Sequence, residues 1–342
     1  MKDFFSKLLT GMSLGIVVCL IPNALVGEIL KLIIPHAPWL QPVLTTSIIV
    51  MSLLPVIMGV MIGIQFKLTP IQTTSVGLAA FIGSGVTTVA ADGTMTIAGI
   101  GVVINIGVTA ALAVLFVQFL GNKLKEWTLL AMPALTIFIP GIIGTMTLPY
   151  VQNASVWIGE VVMYFTSLQP ILMGALIAML FSLLIISPIS TIGIATAIVL
   201  SGVGAGVANL GVCASGVGMA IASYRANNLG TALAHIASAK IQMRNFFMKP
   251  VIALPMICTA AILGALGGYF QIEGTPYSAG FGLAGFVGPL KYLDIVGWQF
   301  DSIMLAATLF IALPVILNLL FIKLFETKFR FSKPEDYKVT YE

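Results

Sequence analysis

Eight apolar runs of about 20 residues lie at about 8–30, 42–64, 70–90, 96–120, 128–149, 167–187, 250–270 and 301–323, the length a helix needs to cross a bilayer's hydrocarbon core. Only 8% of the residues are charged, against about 25% in a soluble domain, so a water-exposed surface cannot be assembled around these runs. In hydrocarbon every backbone N–H and C=O must be bonded within the protein, which makes each run a helix. The sequence predicts an all-α, polytopic membrane protein. Lys2 and Lys7 give the first run the look of a signal peptide, but the spans that follow make that role unnecessary, and it is read as a first transmembrane helix.

The stretch 187–228, SPISTIGIATAIVLSGVGAGVANLGVCASGVGMAIASYRANN, stands apart from the eight runs. It is long enough to cross twice, carries no charge until Arg225, and contains Gly202, Gly204, Gly206 and Gly211 near its middle. Each glycine in a helix interior costs roughly 1 kcal/mol against alanine. Their density therefore points to close backbone packing or to a helix break beside a cavity. Two short helices here, or a re-entrant excursion, bring the expected total to about ten segments.

Basic residues test that topology through the positive-inside rule. With a cytoplasmic N-terminus and an even number of crossings within 187–228, every one of the 16 Lys and Arg except Lys31 and Lys291 falls on the cytoplasmic side. Glu28, Asp92, Glu160, Glu273, Asp294 and Asp301 fall outside. One crossing more or fewer would invert the later loops and remove the asymmetry. The expected arrangement is thus multi-pass, with both termini cytoplasmic.

Four connecting segments carry further signals. In 151–170, Trp157, Val161, Tyr164 and Phe165 recur at helical spacing, as in an interfacial helix at headgroup level. TPYSAGFGLAGFVGPL (275–290) is too short and glycine-rich for a span and fits a re-entrant loop, which requires a surrounding of protein or a water-filled cavity. The connection 227–250 reads as an amphipathic surface helix, with Leu233, Ile236, Ile241 and Phe247 on its apolar side and Lys240, Arg244 and Lys249 toward water or headgroups. The tail 329–342 is too small for a domain, so residues 1–342 are expected to form a single transmembrane domain.

No phosphate-binding loop, nucleotide fingerprint, metal-ligand cluster or nucleophile triad is present, so neither an autonomous catalytic site nor a cofactor or metal is expected. The basic residues are scattered over many loops, which excludes a nucleic-acid surface. Cys19, Cys213 and Cys258 lie in apolar runs and read as small buried side chains. What remains is polar chemistry at membrane depth and discontinuous backbone, the usual pointer to a transporter's solute site. Asn105 and Asn209 lie inside apolar segments, where an amide either bonds across a helix interface or meets the hydroxyls of a polar solute. His235 either faces solvent or headgroups, or borders a translocation path and bonds a hydroxyl or moves a proton. Gln242 and Asn245 lie close to it in sequence, Ser187 and Ser190 open the glycine-rich stretch, and Glu273 precedes the second glycine-rich loop. These eight residues are the candidate solute-binding set.

The run 187–228, followed by IASAKIQMRNFFMKPVIALP and YSAGFGLAGFVGPL, resembles the membrane subunit IIC of the bacterial phosphoenolpyruvate:sugar phosphotransferase system, and within it the branch that includes perfringolysin O regulator-like proteins. The resemblance runs from about Leu9 to Leu320. It implies a homodimer of about ten segments with re-entrant hairpins, holding a sugar in a cavity that alternates between the two sides, with separate cytoplasmic IIA and IIB subunits supplying phosphate. Sugar-transporting IIC proteins carry a Glu in a GxxE-like hairpin motif and a His in a nearby helix. The hairpin GFGLAGFVGPL has no carboxylate, which leaves His235 and Glu273 as loose counterparts. The chain also contains no phospho-accepting IIA or IIB domain.

The expected function is a permease for a small hydroxylated solute, a sugar or sugar derivative, in contact with membrane lipids. The missing hairpin carboxylate keeps a membrane regulator or sensor derived from such a permease as the alternative, and a proton-coupled carrier stands third.

Overall fold

The computed structural model describes residues 2–90, 92–121 and 123–340. The side chains of Lys2, Ile21, Ala24, Leu25, Glu28 and Leu32 lie outside that description, so the parts Lys2 and Glu28 play in the charge count are not addressed. The described residues are mostly helical, with one short hairpin: α1 (Lys2–Ile33), α2 (Gln41–Ser52), α3 (Leu54–Gln65), α4 (Pro70–Ile82), β1 (Thr87–Val89), β2 (Met95–Ile97), α5 (Val103–Leu120), α6 (Thr128–Thr166), α7 (Pro170–Ile186), α8 (Thr191–Ala197), α9 (Gly202–Tyr224), α10 (Leu229–Ala237), α11 (Met243–Met248), α12 (Leu254–Tyr269), α13 (Val287–Val296), α14 (Phe300–Ala307) and α15 (Leu313–Thr327). Among the described residues six helical segments are long and apolar enough to cross a membrane, and the α2–α3 pair, bent by 50°, counts as a seventh if it forms one span. The apolar helices α4 and α7 are shorter.

The chain divides into two compact units, residues 1–23, 30–154 and 340–342 in the first and 24–29 and 155–339 in the second. In the first, α3 and α4 form an antiparallel pair whose turn is set by Thr69. Its backbone N–H donates to the Gln72 side chain at 3.0 Å while its hydroxyl accepts from the Gln72 N–H, and Pro70 occupies the first helical position. This capping box satisfies N–H groups that a helix start leaves open. After α4 the chain turns into the antiparallel hairpin β1–β2, with Thr88 opposite Thr96 and their hydroxyls 2.6 Å apart. The runs 70–90 and 96–120 suggested unbroken spans here, but β-branched residues on both sides of the Asp92–Gly93 turn pair as strands instead.

The second unit is built on α7, α9 and α12, with α15 and α10 against α9. Here the glycines divide between two roles, with Gly202 at a helix break and Gly206 and Gly211 at close backbone contacts. The helix is interrupted earlier, where Val199 and Gly202 take φ of 52° and 58°, and α9 then runs unbroken through Gly204, Gly206 and Gly211. A Cβ at Gly211 would collide with the Ala178 carbonyl of α7, and one at Gly206 with the Ile272 carbonyl. Close backbone packing explains these glycines. The region 187–228 is therefore one seven-residue helix followed by one 23-residue helix.

Two other expectations are corrected. The aromatic segment 151–170 is not a separate interfacial helix up to Thr166, because α6 continues through Pro149 without a stop. The connection 227–250 is not one amphipathic helix: it breaks at Ser238, after α10, into a 3₁₀ turn (Ala239–Gln242) and α11. Leu233 and Phe247 are exposed, and Lys240 points inward at 6% exposure. The break rotates Lys240 off the face that continuous helical periodicity assigns to it.

Candidate functional site

The loop 274–286 is held by backbone and side-chain bonds from both halves of the glycine-rich stretch. The Gly274 N–H donates to the Gly202 carbonyl at 2.9 Å, the Thr191 hydroxyl of α8 donates to the Gly280 carbonyl at 3.0 Å, and the Gly282 N–H donates to the Asn209 side-chain oxygen of α9 at 3.1 Å. Gly282 sits at φ 61°, and a side chain there would run into Val212 and the Cys213 backbone. Only glycine meets both demands. Phe286, at φ 59°, reverses the chain into α13. Behind this loop the helix between α14 and α15 widens into a π turn at Thr308–Ala312, where the Phe310 carbonyl accepts from the Cys213 thiol at 2.9 Å. Such single π turns recur at functional sites.

His235 is carried to this region by α10, which packs against α9 and against the Ala284–Phe286 turn of the loop. Asn228 caps α10, its side-chain oxygen accepting from the Thr231 N–H at 2.8 Å. The His235 ring is fully buried, and its Nδ1 lies 2.7 Å from the Thr231 carbonyl. A carbonyl can only accept, so Nδ1 carries the proton and Nε2 presents a bare lone pair. That Nε2 has no hydrogen-bond partner among the described residues. Burial pushes the His235 pKa down to about 4, with the Thr231 and Ala232 carbonyls opposing the shift. At neutral pH the ring is therefore a neutral acceptor, suited to a hydroxyl donor.

Lys240 joins the same connection to the link before α8. Its Nζ donates to the carbonyls of Ser187 at 2.5 Å and Ile189 at 2.6 Å, just past the C-terminus of α7, where a helix dipole favours a cation. Burial pushes the Lys240 pKa down to about 7. The two serines of this link have local roles: the Ser187 hydroxyl donates to the Leu184 carbonyl at 2.7 Å, and Ser190 caps α8 by accepting from the Gly193 N–H at 3.0 Å.

The structure thus places Ser187, Ser190, Asn209 and His235 in one unit, Asn209 bonded to the loop and His235 on the helix that packs against it, with half-buried Glu273 just before the loop. The Glu273 carboxylate, after burial, raises the Tyr292 phenol of α13. Gln242 and Asn245 lie in the same unit but bond elsewhere: Gln242 donates to the Tyr337 carbonyl at 2.8 Å, and Asn245 donates to the Gln242 side chain at 2.7 Å and the Lys338 carbonyl at 2.9 Å. Asn105 belongs to the other unit. There its NH₂ donates to the carbonyls of Gly83 at 2.5 Å and Gly144 at 2.8 Å, and its oxygen accepts from Thr147 at 2.9 Å.

Sequence reasoning missed Thr191, Lys240 and Asn318. Asn318, fully buried in α15, donates to the Ala214 and Pro314 carbonyls at 3.0 and 2.8 Å and accepts from Thr259 at 3.2 Å. Its signal was the same as for Asn105, an amide within an apolar run. Lys240 had a signal too, a lone cation among small residues in IASAK. Among the described residues no group of three His, Cys, Asp or Glu converges as a metal site.

Compared with known proteins, the chain matches the family model "Phosphotransferase system, EIIC" over residues 6–339. No curated protein and no solved structure matches it.

Proposed function

Because the chain belongs to the EIIC family of the phosphotransferase system, a membrane component of sugar transport, we propose that it is a permease for a small hydroxylated solute, a sugar or sugar derivative, working by alternating access. The observation that carries this reading is the bare, buried Nε2 of His235, on a helix that packs against a loop tethered by Asn209 and Thr191. A buried acceptor left without a donor costs roughly 1–3 kcal/mol, and a solute hydroxyl relieves that cost. Glu273 is the second acceptor in this reading, at the loop's entry. Asn209, Ser187 and Ser190 shape the loop and its support, Asn105 braces the other unit, and Gln242 and Asn245 act through the connection that carries His235.

Phosphate transfer on arrival is assigned to separate IIA and IIB subunits, which the family supplies as cytoplasmic partners. The basic connection 225–250 is the cytoplasmic face in this reading, with both termini on the same side. A homodimer is the working form.

Reconstitution tests the proposal. Proteoliposomes containing the protein, given the soluble phosphotransferase components and a sugar panel, are expected to accumulate one sugar as its phosphate. His235→Ala liposomes are expected to accumulate it at least about tenfold more slowly, the equivalent of about 1.4 kcal/mol. Accumulation of no sugar, or equal rates for the variant, contradicts it.

A further inference from the structure

The C-terminal segment Phe329–Val339 is not a loose tail. Tyr337 is fully buried in a cluster with Met219, Ile252 and Ile322, and its hydroxyl donates to the Ile252 carbonyl at 3.1 Å. Its own carbonyl accepts from two side chains, Asn227 at 2.9 Å and Gln242 at 2.8 Å. These two residues lie on opposite sides of His235 in sequence. Asn227 immediately precedes the N-cap of α10, and Gln242 ends the 3₁₀ turn that follows it. The bond is reciprocated at Asn227, whose oxygen accepts from the Val339 N–H at 2.9 Å. Further along, Lys249 pairs with Asp336 at 2.6 Å.

We propose that this segment is a positioning strap, pinned by Tyr337, that clamps both ends of the His235-bearing connection and so fixes where the imidazole is presented. One carbonyl bonded to both flanks of α10 makes the separation of those flanks a property of the strap. The helices of the connection are short, nine residues in α10 and six in α11, lengths at which a helix depends on tertiary support, and the strap adds its bonds to the packing of α10 on α9. The same 3₁₀ turn carries Lys240, whose bonds to the Ser187 and Ile189 carbonyls lead on to α8 and Thr191. A displaced strap therefore moves the His235 ring and loosens the support of the loop together. Its consequence for solute affinity rests on the permease reading; the mechanical claim does not.

His36 is the only other histidine, so His36→Gln leaves a single imidazole to observe in full-length ¹⁵N-histidine-labelled protein. With the strap in place, the ring is expected to give the shifts of one tautomer, protonated at Nδ1. Tyr337→Ala is expected to give mixed tautomers and about tenfold faster amide exchange over 229–245, with α7 and α12 unchanged. Gln242→Met is a second variant, which keeps the chain length but removes the amide, and it is expected to shift the same signals in the same direction even if Tyr337→Ala fails to fold. Faster exchange confined to 329–339, with the His235 signal unchanged, overturns the proposal. A protein that binds no sugar, yet whose strap variants still move the His235 signal, supports the strap and counts against the permease reading.

Discussion

The side-chain oxygen of Asn209 accepts a hydrogen bond from the Gly282 backbone N–H at 3.1 Å, across 73 residues of sequence. Both groups are buried, and this bond ties the loop 274–286 to α9. Replacing Asn209 with Leu leaves the N–H without its acceptor at a cost of about 1–3 kcal/mol. Thermal melting in detergent, followed by a thiol-reactive dye at the buried Cys19 and Cys213, is expected to show a lower midpoint. Faster amide exchange over 274–288 should accompany it. An unchanged midpoint would show that the loop is held by its other contacts alone.

Gly211→Ala puts a Cβ into the Ala178 carbonyl of α7. Overpacking of this kind costs about 1–3 kcal/mol, because neither backbone can yield without moving its helix. Gly230 in α10 is the matched control: the nearest atom to a Cβ there is the Asn228 side-chain oxygen, at 3.6 Å. Gly230→Ala is expected to be neutral or stabilising by up to about 1 kcal/mol, and melting of the pair gives the comparison.

Stability should fall on acidification through His235. Burial holds its pKa at about 4, below the ordinary 6.5. Between these values the unfolded chain binds a proton that the folded protein does not, so the stabilisation is fully present above about 6.5 and is lost as the pH falls toward 4. The amount is on the order of 3 kcal/mol. Melting midpoints of the wild type and His235→Asn, taken from pH 7.5 to 4.5, should converge as the pH falls. Parallel curves would mean that the ring is solvated.

Lys240→Met removes the donor shared by the Ser187 and Ile189 carbonyls while keeping much of the buried stem. Amide exchange is expected to quicken in 187–197, and a loop tethered by Thr191 should loosen with it. Exchange that rises only in 238–242 would show that the lysine does not support the link.

Most of the helical framework was legible because bilayer-length apolar runs have few alternatives. The run 250–270 is helical close to its expected limits, 128–149 starts α6 where expected, and 42–64 forms the bent pair α2–α3. Legibility failed where tertiary contacts set the local structure. Apolar content alone does not separate the strands around Asp92 from a helix end, and Pro149 did not stop α6. The glycines of α9 were conspicuous in sequence, but which carbonyls they approach depends on α7 and on Ile272. At the candidate site, Asn209 and His235 stood out as polar residues near glycine-rich backbone. Continuous helical periodicity through Ser238 puts Lys240 toward water or headgroups, and nothing in the sequence around Gln242 signals its bond to Tyr337, 95 residues away.

The most direct test of the account is equilibrium binding of a sugar panel to the purified full-length protein, with His235→Ala measured beside the wild type. The account predicts saturable binding of at least one sugar, weakened about tenfold or more by the substitution without loss of the folded protein. Binding with the same Kd in both proteins, or no binding of any sugar by a folded wild type, contradicts it.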